Sequence, residues 1–329
     1  MRDDLGPSEF ELLAMSVHRF QATWNTPYSR WCASHGAPET WRDIPAAPQS
    51  AFRRYVLSVA PDRVTKTFRT SGTSGEGCGE HRFIEIRLCA EAVRRGWKWL
   101  RAPAARLLVL TPSPSDAPHS SLSHMMGVLA SHRGGGARFF VSAEGRLDAA
   151  PLVAALESAA HAGEPVGLLG TALAFLNLFD RMKSRRLALA PGSFALETGG
   201  YKGSGRDIAK ADLYERFGQT LGLAPGDIIN EYGMTELSSQ FYTRGLGQPH
   251  TAPPWLRALV ISPETGAEVA EGETGFLRIF DLANVGSVLA IDTQDLAIRR
   301  GEDFELLGRD PAALPRGCSR PADAAMQRA

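Results

Sequence analysis

The sequence predicts an α/β protein with a mainly parallel, doubly wound β-sheet that carries helices on both faces. Short runs rich in Leu, Val, Ile and Phe alternate along the chain with segments whose apolar residues recur every three or four positions. Such alternation is typical of βαβ units, whose parallel strands are buried on both faces. A chain of 329 residues, 43% of them apolar, can fill the core of one large domain and a smaller piece.

The expected strands share an apolar, β-branched character. They lie at residues 107–112 (LLVLTP), 138–142 (RFFVS), 166–171 (VGLLGT), 193–200 (SFALETGG) and 227–233 (DIINEYG). Helices are expected between them, for example at residues 151–162 and 208–221. Because ligands of parallel sheets gather at the carboxyl ends of the strands, residues that follow these runs are candidates for a binding site.

The pattern changes after about residue 253, where short strands separated by turn signals predict a smaller β-rich subdomain at 253–309. We expect it to belong with the rest of residues 1–309 to one domain. Residues 310–329 are rich in Ala, Pro and charged residues, so they are expected to form a short, loosely ordered tail.

Charge and composition exclude several classes of function. Lys plus Arg and Asp plus Glu both number 36, so no general basic field would attract nucleic acid. The N-terminus has acids where a signal peptide has basic residues, and no apolar run reaches the ~20 residues of a membrane span. The cysteines are Cys32, Cys78, Cys89 and Cys318, with neither a CxxC pair nor a zinc-like spacing. We therefore expect a cytoplasmic protein without a membrane span or a disulfide framework.

One loop has the chemistry of an anion site. Residues 67–77 read TFRTSGTSGEG, so hydroxyl groups, glycines and free backbone N–H groups follow a short expected strand. Glycine lets the backbone approach a ligand closely, and converging N–H groups bind anions. The loop does not match the Walker pattern GxxxxGK[ST], and Gly/Ser/Thr loops are often mere connections. By itself it indicates a phosphate site only weakly.

Three further stretches strengthen this interpretation because they fall where strands are expected to end. They are ETGGYKG at 197–203, NEYGMTE at 230–236 and IDTQDLAIRRGEDFELLGRD at 291–310, the last with Asp295 and Arg309 at turn-rich positions. In this order, the four stretches resemble the adenylate-forming superfamily. Together with IPAAPQSAFR at 44–53 and PRGCS near the C-terminus, they are similar to the LuxE family, the acyl-protein synthetases that supply activated fatty acyl groups to a partner reductase. The resemblance runs from Phe20 to Ser319.

The resemblance implies a site that binds ATP and Mg²⁺. The phosphate-binding loop would consist of Thr70, Ser71, Gly72, Thr73, Ser74 and Gly75. Within NEYGMTE, Tyr232 would stack on adenine, Thr235 would donate to the α-phosphate and Glu236 would hold Mg²⁺. Residues Asn230 and Gly233 belong to the same nucleotide-binding motif.

The remaining implied residues complete the site. Gly199, Gly200 and Tyr201 would lie along the adenosine, and Asp295 would accept hydrogen bonds from the ribose hydroxyls. Arg309 would lie at the domain edge, His124 beside the acyl pocket, and Lys202 facing phosphate.

The implied reaction joins ATP and a carboxylic acid, fatty or aromatic, into an acyl-adenylate. The acyl group would then pass to a thiol, for which Cys318 matches the acylated cysteine of the LuxE proteins. Alternative acceptors are a partner reductase, a carrier protein or coenzyme A, with Cys318 idle. A second class of function is a non-catalytic scaffold that only binds nucleotide.

The sequence also departs from the superfamily pattern. The lysine that usually follows the phosphate loop is missing, and His81 or Arg82 are candidates to replace its charge. After Arg309 the typical C-terminal domain, with its lysine, is expected to be absent. Plain structural roles also remain open: aromatic packing for Tyr201 and Tyr232, a first-turn helix acid for Glu236, a turn residue for Asp295 and a solvated surface for Lys202 and Arg206.

Overall fold

The computed structural model describes residues 4–70, 78–132, 136–199, 208–309 and 326. The helices are α1 to α8, at Pro7–Trp24, Thr26–Ala33, Ala51–Arg54, Arg87–Trp99, Ser121–His132, Ala149–Ala162, Ala172–Met182 and Lys210–Leu221. The strands are β1 to β13, at Ala47–Pro48, Lys66–Arg69, Glu80–Phe83, Arg106–Leu110, Arg138–Phe139, Val166–Thr171, Phe194–Thr198, Ile228–Tyr232, Phe241–Arg244, Leu256–Ile261, Thr274–Asp281, Ala290–Arg300 and Asp303–Arg309.

The chain divides into two compact units. Unit 1 contains residues 1–96, 234–240 and 249–329, and unit 2 contains residues 97–233 and 241–248. The expected boundary at residue 253 stays a prediction. Strands β10 to β13, the expected β-rich part, lie beyond residue 253. They belong to unit 1, together with the N-terminal helices.

Unit 2 is built on a six-stranded sheet in the order β5-β4-β6-β7-β8-β9. Strands β4 to β8 run parallel, and β9 adds an antiparallel edge. The strands predicted from apolar runs are all present, although β5 is shorter than expected. The helices predicted at 151–162 and 208–221 are confirmed as α6 and α8.

The core of unit 2 explains why this sheet is doubly wound. Residues of α6, α7 and α8 pack with Leu168, Ala195 and Ile228 on one face of the sheet. Phe194, the strand neighbour of Ala195, lies on the other face and contacts the Trp97 ring at 5.9 Å between centroids. The chain moves from β4 to β5 in one direction across the sheet, and from β6 through β7 to β8 in the other. Because such connections are right-handed, α5, which joins β4 to β5, lies on the second face.

Helix ends and close contacts in unit 2 follow from local sequence. Thr171 caps α7, since its hydroxyl accepts from Ala174 N at 3.1 Å. Gly163 ends α6 with a φ of 67°, a left-handed conformation that glycine adopts without strain. Within β6, a Cβ at Gly167 would lie 2.5 Å from the Phe194 ring, so only glycine fits beside that ring.

Unit 1 contains an antiparallel sheet of β10, β11, β12 and β13, which β1 joins in parallel beside β12. The N-terminal helix α1 is attached by polar contacts from Gln21. Its amide donates to Asn284 O at 2.7 Å, and its oxygen accepts from Leu289 N at 2.9 Å. Strands β2 and β3 form a separate hairpin. No helix in the described part of the chain is long and apolar enough to cross a membrane.

Candidate active site

In unit 2, residues predicted for the site lie at the carboxyl ends of neighbouring strands. Gly199 follows β7, while Asn230 and Tyr232 lie near the end of β8 and Gly233 follows it. The register pairs Glu197 with Asn230 across β7 and β8, so the two ends are adjacent. His124 lies in the first turn of α5, the helix that follows β4. The expected grouping at the carboxyl edge is therefore present for these residues.

A buried polar cluster occupies the α8 side of this edge. Asn230 Nδ2 donates to Glu197 Oε1 at 2.7 Å, and Asn230 Oδ1 accepts from Lys210 Nζ at 2.8 Å. Tyr214 OH donates to the same Glu197 oxygen at 3.2 Å. Burial raises the pKa of Glu197, whereas Lys210, Tyr214 and Asn230 oppose the rise by stabilising the carboxylate. These contacts hold Asn230 in one orientation.

Glu231 points to the opposite face, since neighbouring residues of a strand alternate. It is buried and accepts a hydrogen bond from Thr198, its cross-strand partner on β7. Burial raises the pKa of Glu231 to about 7, and the charge of Glu197 adds to the rise. On the other side Glu231 faces Tyr242 of β9, whose pKa is raised by burial and by Glu231. Glu231 is therefore an acid that gains a proton near neutral pH.

Glu231 should make the stability of the protein depend on pH. Its folded pKa of about 7 lies above the unfolded value of 4.5, so its contribution to stability is greatest below pH 4.5 and is lost as pH rises through 7. Glu231→Gln should remove up to about 3 kcal/mol of this dependence, because a tenfold change in a proton-binding constant corresponds to about 1.4 kcal/mol. Urea unfolding at pH 5 and pH 8 measures the effect. Glu164→Gln, at an exposed position, is the control, and an equal pH slope in wild type and Glu231→Gln would contradict the prediction.

Tyr232 packs within unit 2. Its ring centroid lies 6.1 Å from that of Phe241, at an interplanar angle of 49°, and the side chain is buried. Aromatic packing, one of the two interpretations of this residue, is therefore present. Its role in stacking on adenine stays a prediction.

In unit 1, the loop after β8 carries Thr235 and Glu236. The loop is not helical, so Glu236 is not a first-turn helix acid. The Glu236 side chain is buried, and its Oε1 accepts from Gln49 Nε2 at 3.2 Å. Thr235 O contacts His81 Nδ1 at 2.9 Å, and Glu236 O accepts from Asn284 Nδ2 at 2.9 Å. Both motif residues therefore have fixed backbones.

The next residues of the loop are held by a buried aspartate. Asp281 Oδ2 accepts from Ser238 N at 2.9 Å and from Ser239 N at 2.8 Å, and Oδ1 accepts from Ser239 Oγ at 2.8 Å. Trp255 Nε1 donates to Ser239 Oγ at 3.1 Å. Burial raises the pKa of Asp281, while its hydrogen bonds favour the carboxylate. Hydrogen bonds therefore hold the backbone of this loop both before Glu236, at Thr235, and after it, at Ser238 and Ser239.

Asp295 and Arg309 lie in strands, so their expected placement at turns is wrong. Asp295 belongs to β12 and Arg309 ends β13, and the register pairs the two directly. The long antiparallel ladder overrides the turn-prone sequence, because pairing along the two strands satisfies their backbone N–H and C=O groups. Arg309 also donates to Gln294 Oε1 at 2.8 Å. The strand pairing brings together two residues that the sequence separates by a turn.

Thr70 closes the base of the glycine-rich loop. Its N donates to Gly79 O at 2.9 Å, and its hydroxyl accepts from Gly79 N at 2.8 Å. The loop is therefore the connection of the β2–β3 hairpin. The other predicted residues Ser71, Gly72, Thr73, Ser74, Gly75, Gly200, Tyr201, Lys202 and Cys318 lie outside the described residues, as does Arg206.

The structure corrects one proposed replacement for the missing loop lysine. His81 is buried, and burial lowers its pKa to about 4, so it is neutral at physiological pH. It cannot supply a positive charge to phosphate. Arg82 pairs with Glu80 of the same strand, and Glu80 also pairs with Arg69 of β2.

The described cysteines divide by environment. Burial raises the pKa of Cys89 to about 12 and that of Cys32 to about 11, so both are poor nucleophiles. Cys89 lies in α4 and packs with Phe68 and Phe83. Cys78 is exposed beside the glycine-rich loop.

Four of the residues described above were not singled out from the sequence, three in unit 1 and one, Glu231, in unit 2. Gln49, Glu231, Asp281 and Asn284 each make contacts that depend on long-range folding. Two of them had a signal nearby, because Gln49 lies in the stretch at 44–53 and Glu231 lies within NEYGMTE. Nothing in the local pattern marks Asp281 or Asn284 as supports of a loop more than 40 residues away.

Comparison with known proteins gives a consistent result. No protein-family profile matches the chain. A long-chain-fatty-acid–luciferin-component ligase of Vibrio harveyi is 21% identical over 308 residues, which cover 90% of this chain and 80% of the relative. A 2-hydroxyisobutyryl-CoA ligase bound to 2-HIB-AMP and CoA has a TM-score of 0.66 at 15% identity, covering 90% of this chain and 73% of that one.

ATP-bound MatB from Rhodopseudomonas palustris has a TM-score of 0.56 at 15% identity. The match covers 75% of this chain but 48% of MatB, so the chain spans about half the length of that enzyme. At such identities the structural likeness establishes the fold. The resemblance recognised in the motifs is thereby confirmed: the chain has the fold of the adenylate-forming enzymes and is similar in sequence to the LuxE acyl-protein synthetases.

Proposed function

We propose that this chain is an ATP-dependent ligase that activates a carboxylic acid as an acyl-adenylate and transfers the acyl group to a thiol. The observation that carries the proposal is the clamped loop of unit 1. It presents Glu236 with a fixed backbone and a held side chain, at the motif position where the superfamily binds the metal–nucleotide complex. Similarity to a fatty-acid ligase over 90% of the chain supports the same conclusion.

The first half-reaction needs charge stabilisation at phosphorus. An oxygen of the substrate carboxylate attacks the α-phosphorus of ATP, and the bond to the bridging oxygen breaks to release pyrophosphate. Thr235 would donate to the α-phosphate, and backbone N–H groups of the loop at 70–75 would bind the leaving phosphates. Asp295 would accept hydrogen bonds from the ribose hydroxyls. Arg309, its strand partner, would bring a positive charge to the same edge.

The donor set fits Mg²⁺. Glu236 supplies a carboxylate, and hard oxygen donors are those that Mg²⁺ prefers. When bound, Mg²⁺ would neutralise charge on the phosphate oxygens. The contact from Gln49 is made by a neutral amide, so it leaves the negative charge of Glu236 in place.

The second half-reaction is transfer to sulfur. A thiolate attacks the acyl carbon of the adenylate, a thioester bond forms, and AMP leaves with the electron pair of the broken bond. We assign this thiol to Cys318, with a partner reductase, a carrier protein or coenzyme A as the alternative acceptor. Arg316 and Arg320 flank Cys318 in the sequence and would favour the thiolate.

Carboxylate-dependent exchange of labelled pyrophosphate into ATP tests the first half-reaction without an acceptor. We expect exchange with at least one acid from a panel of fatty and aromatic acids, in the presence of Mg²⁺. Binding of ATP without exchange for any acid would contradict the proposal and favour the non-catalytic scaffold.

The acceptor thiol is tested with a labelled acid and ATP. Cys318→Ser should abolish covalent labelling of the protein while exchange continues. Cys32→Ser is the matched control, because burial makes that thiol a poor nucleophile. Labelling that survives in Cys318→Ser would assign the thiol elsewhere.

A further inference from the structure

The stretch at 44–53 supports the resemblance, and the function proposed above uses one contact from it, the hydrogen bond from Gln49 to Glu236. Its central strand β1 pairs in parallel with β12, with Pro48 opposite Asp292. The backbone N of Gln49 continues this pairing and donates to Asp292 O at 2.9 Å. Asp292 is in turn held by Arg278 through two hydrogen bonds of 2.6 and 3.1 Å. The backbone of Gln49 is therefore fixed to the sheet of unit 1.

The side chain of Gln49 leaves the sheet and contacts Glu236. Its Nε2 donates to Glu236 Oε1 at 3.2 Å. The backbone on the far side of this contact is also fixed, since Asn284 donates to Glu236 O and His81 contacts Thr235 O. Because Thr235 O can only accept, the His81 nitrogen that contacts it, Nδ1, carries a proton. Both ends of the Gln49–Glu236 contact thus start from rigid backbone, so the contact restricts the rotamer of Glu236.

The group that contacts Glu236 is a neutral amide, and this choice of side chain affects how the carboxylate can bind a cation. Lys or Arg in place of Gln49 would form an ion pair with Glu236 and compete with a cation for the carboxylate. A primary amide donates one hydrogen bond and adds no charge. It can hold one oxygen of the carboxylate while the group keeps its full negative charge for a metal.

We propose that Gln49 is a positioning residue that orients the Glu236 carboxylate for binding of the divalent cation that accompanies ATP. This inference rests on the proposed function, since it takes Glu236 to be the metal ligand. Partners that orient metal ligands through hydrogen bonds affect metal affinity by about 10- to 100-fold. Gln49 acts through Glu236 and does not itself take part in the chemistry.

The test measures cation binding rather than turnover. Mn²⁺ replaces Mg²⁺ as a paramagnetic probe, and the free ion is titrated by electron paramagnetic resonance in the presence of ATP and the full chain, without acid substrate. Gln49→Met keeps the volume of the side chain and removes the donor, so we expect about 10-fold weaker Mn²⁺ binding. Gln49→Ala repeats the loss with a different shape, so that one misfolded variant does not decide the result.

Gln49→Lys separates positioning from a merely structural contact. Lys can restore the hydrogen bond to Glu236, so a structural role predicts recovered affinity. Positioning of a charged ligand predicts that affinity stays as low as in Gln49→Met or falls further, because the ammonium competes with the cation. Gln219→Met is the matched control: Gln219 donates to the Glu215 carboxylate at 2.7 Å on the exposed face of α8, and its loss should leave Mn²⁺ binding unchanged.

The Glu236→Gln variant separates the proposed role of Gln49 from the proposed ligase function on which that role rests. Wild-type Mn²⁺ affinity in Gln49→Met, with weak binding in Glu236→Gln, would overturn the role of Gln49 and leave the proposed function intact. Wild-type affinity in Glu236→Gln would remove the metal role of Glu236 and overturn both.

Discussion

Glu236→Gln should lower kcat/KM for acyl-adenylate formation by about 100-fold or more, the size of loss seen when one charge-stabilising group is removed from a transition state. The glutamine keeps the shape of the side chain and an oxygen that can accept from Gln49, so the loop has no reason to move. What is lost is the negative charge of the carboxylate. In our proposal this charge binds the metal ion that neutralises charge on the phosphate oxygens. The effect should therefore be chemical and not structural.

Pyrophosphate exchange measures this loss, and its dependence on Mg²⁺ concentration identifies the cause. The variant should need more Mg²⁺ for half-maximal exchange than the wild type does. Glu264→Gln, on an exposed turn of the same unit, is the control for loss of one negative charge. Exchange by Glu236→Gln at the wild-type rate would show that the carboxylate has no part in adenylation.

Asp281→Asn should destabilise the protein by about 1–3 kcal/mol, which is the cost of leaving a buried donor without an acceptor. The carboxylate is fully buried and accepts from Ser238 N and Ser239 N on one oxygen, and from Ser239 Oγ and Ala283 N on the other. Asparagine replaces one of these oxygens with an NH₂ group that faces two donors. Whichever way the amide turns, at least one backbone N–H loses its acceptor, since the NH₂ group would face either Ala283 N or both Ser238 N and Ser239 N.

Urea unfolding followed by tryptophan fluorescence measures this change. Trp255 donates to Ser239 Oγ and so reports on the same region. Asp62→Asn, at an exposed position of unit 1, should stay within about 0.5 kcal/mol of the wild type. The folded Asp281→Asn protein should also need more ATP for half-maximal exchange, because its loop no longer fixes Glu236. Unchanged stability would mean that the buried carboxylate does not hold the loop.

Much of unit 2 was predictable because its strands are buried on both faces. A run such as residues 166–171 is apolar throughout, and burial of such a run between helices is the arrangement that removes all of its apolar surface from water. The burial pattern of β6 agrees, with Val166 and Leu168 completely buried. The carboxyl-edge position of Gly199 and Asn230 follows from the strand order alone.

The strand position of Asp295 and the neutral state of His81 could not be predicted from the local sequence, for different reasons. Asp295 lies in a strand whose pairing with β13 is decided by the whole antiparallel ladder. His81 looked like a candidate cation because the charge of histidine depends on its surroundings, and burial within unit 1 makes it neutral. Neither a long-range pairing nor a degree of burial can be read from a few neighbouring residues.

The sequence by itself determined the α/β class, the order of the motifs and the resemblance to enzymes that activate acids with ATP. These properties depend on local periodicity and on residue types at short spacings, both of which are written in the chain. The tertiary structure alone decided that Gln49 holds Glu236, that Asp281 supports the loop that carries Glu236, and that Glu231 is an acid with a pKa of about 7. Each of these depends on which distant groups meet and on how much water is excluded around them, and both are consequences of the packed fold.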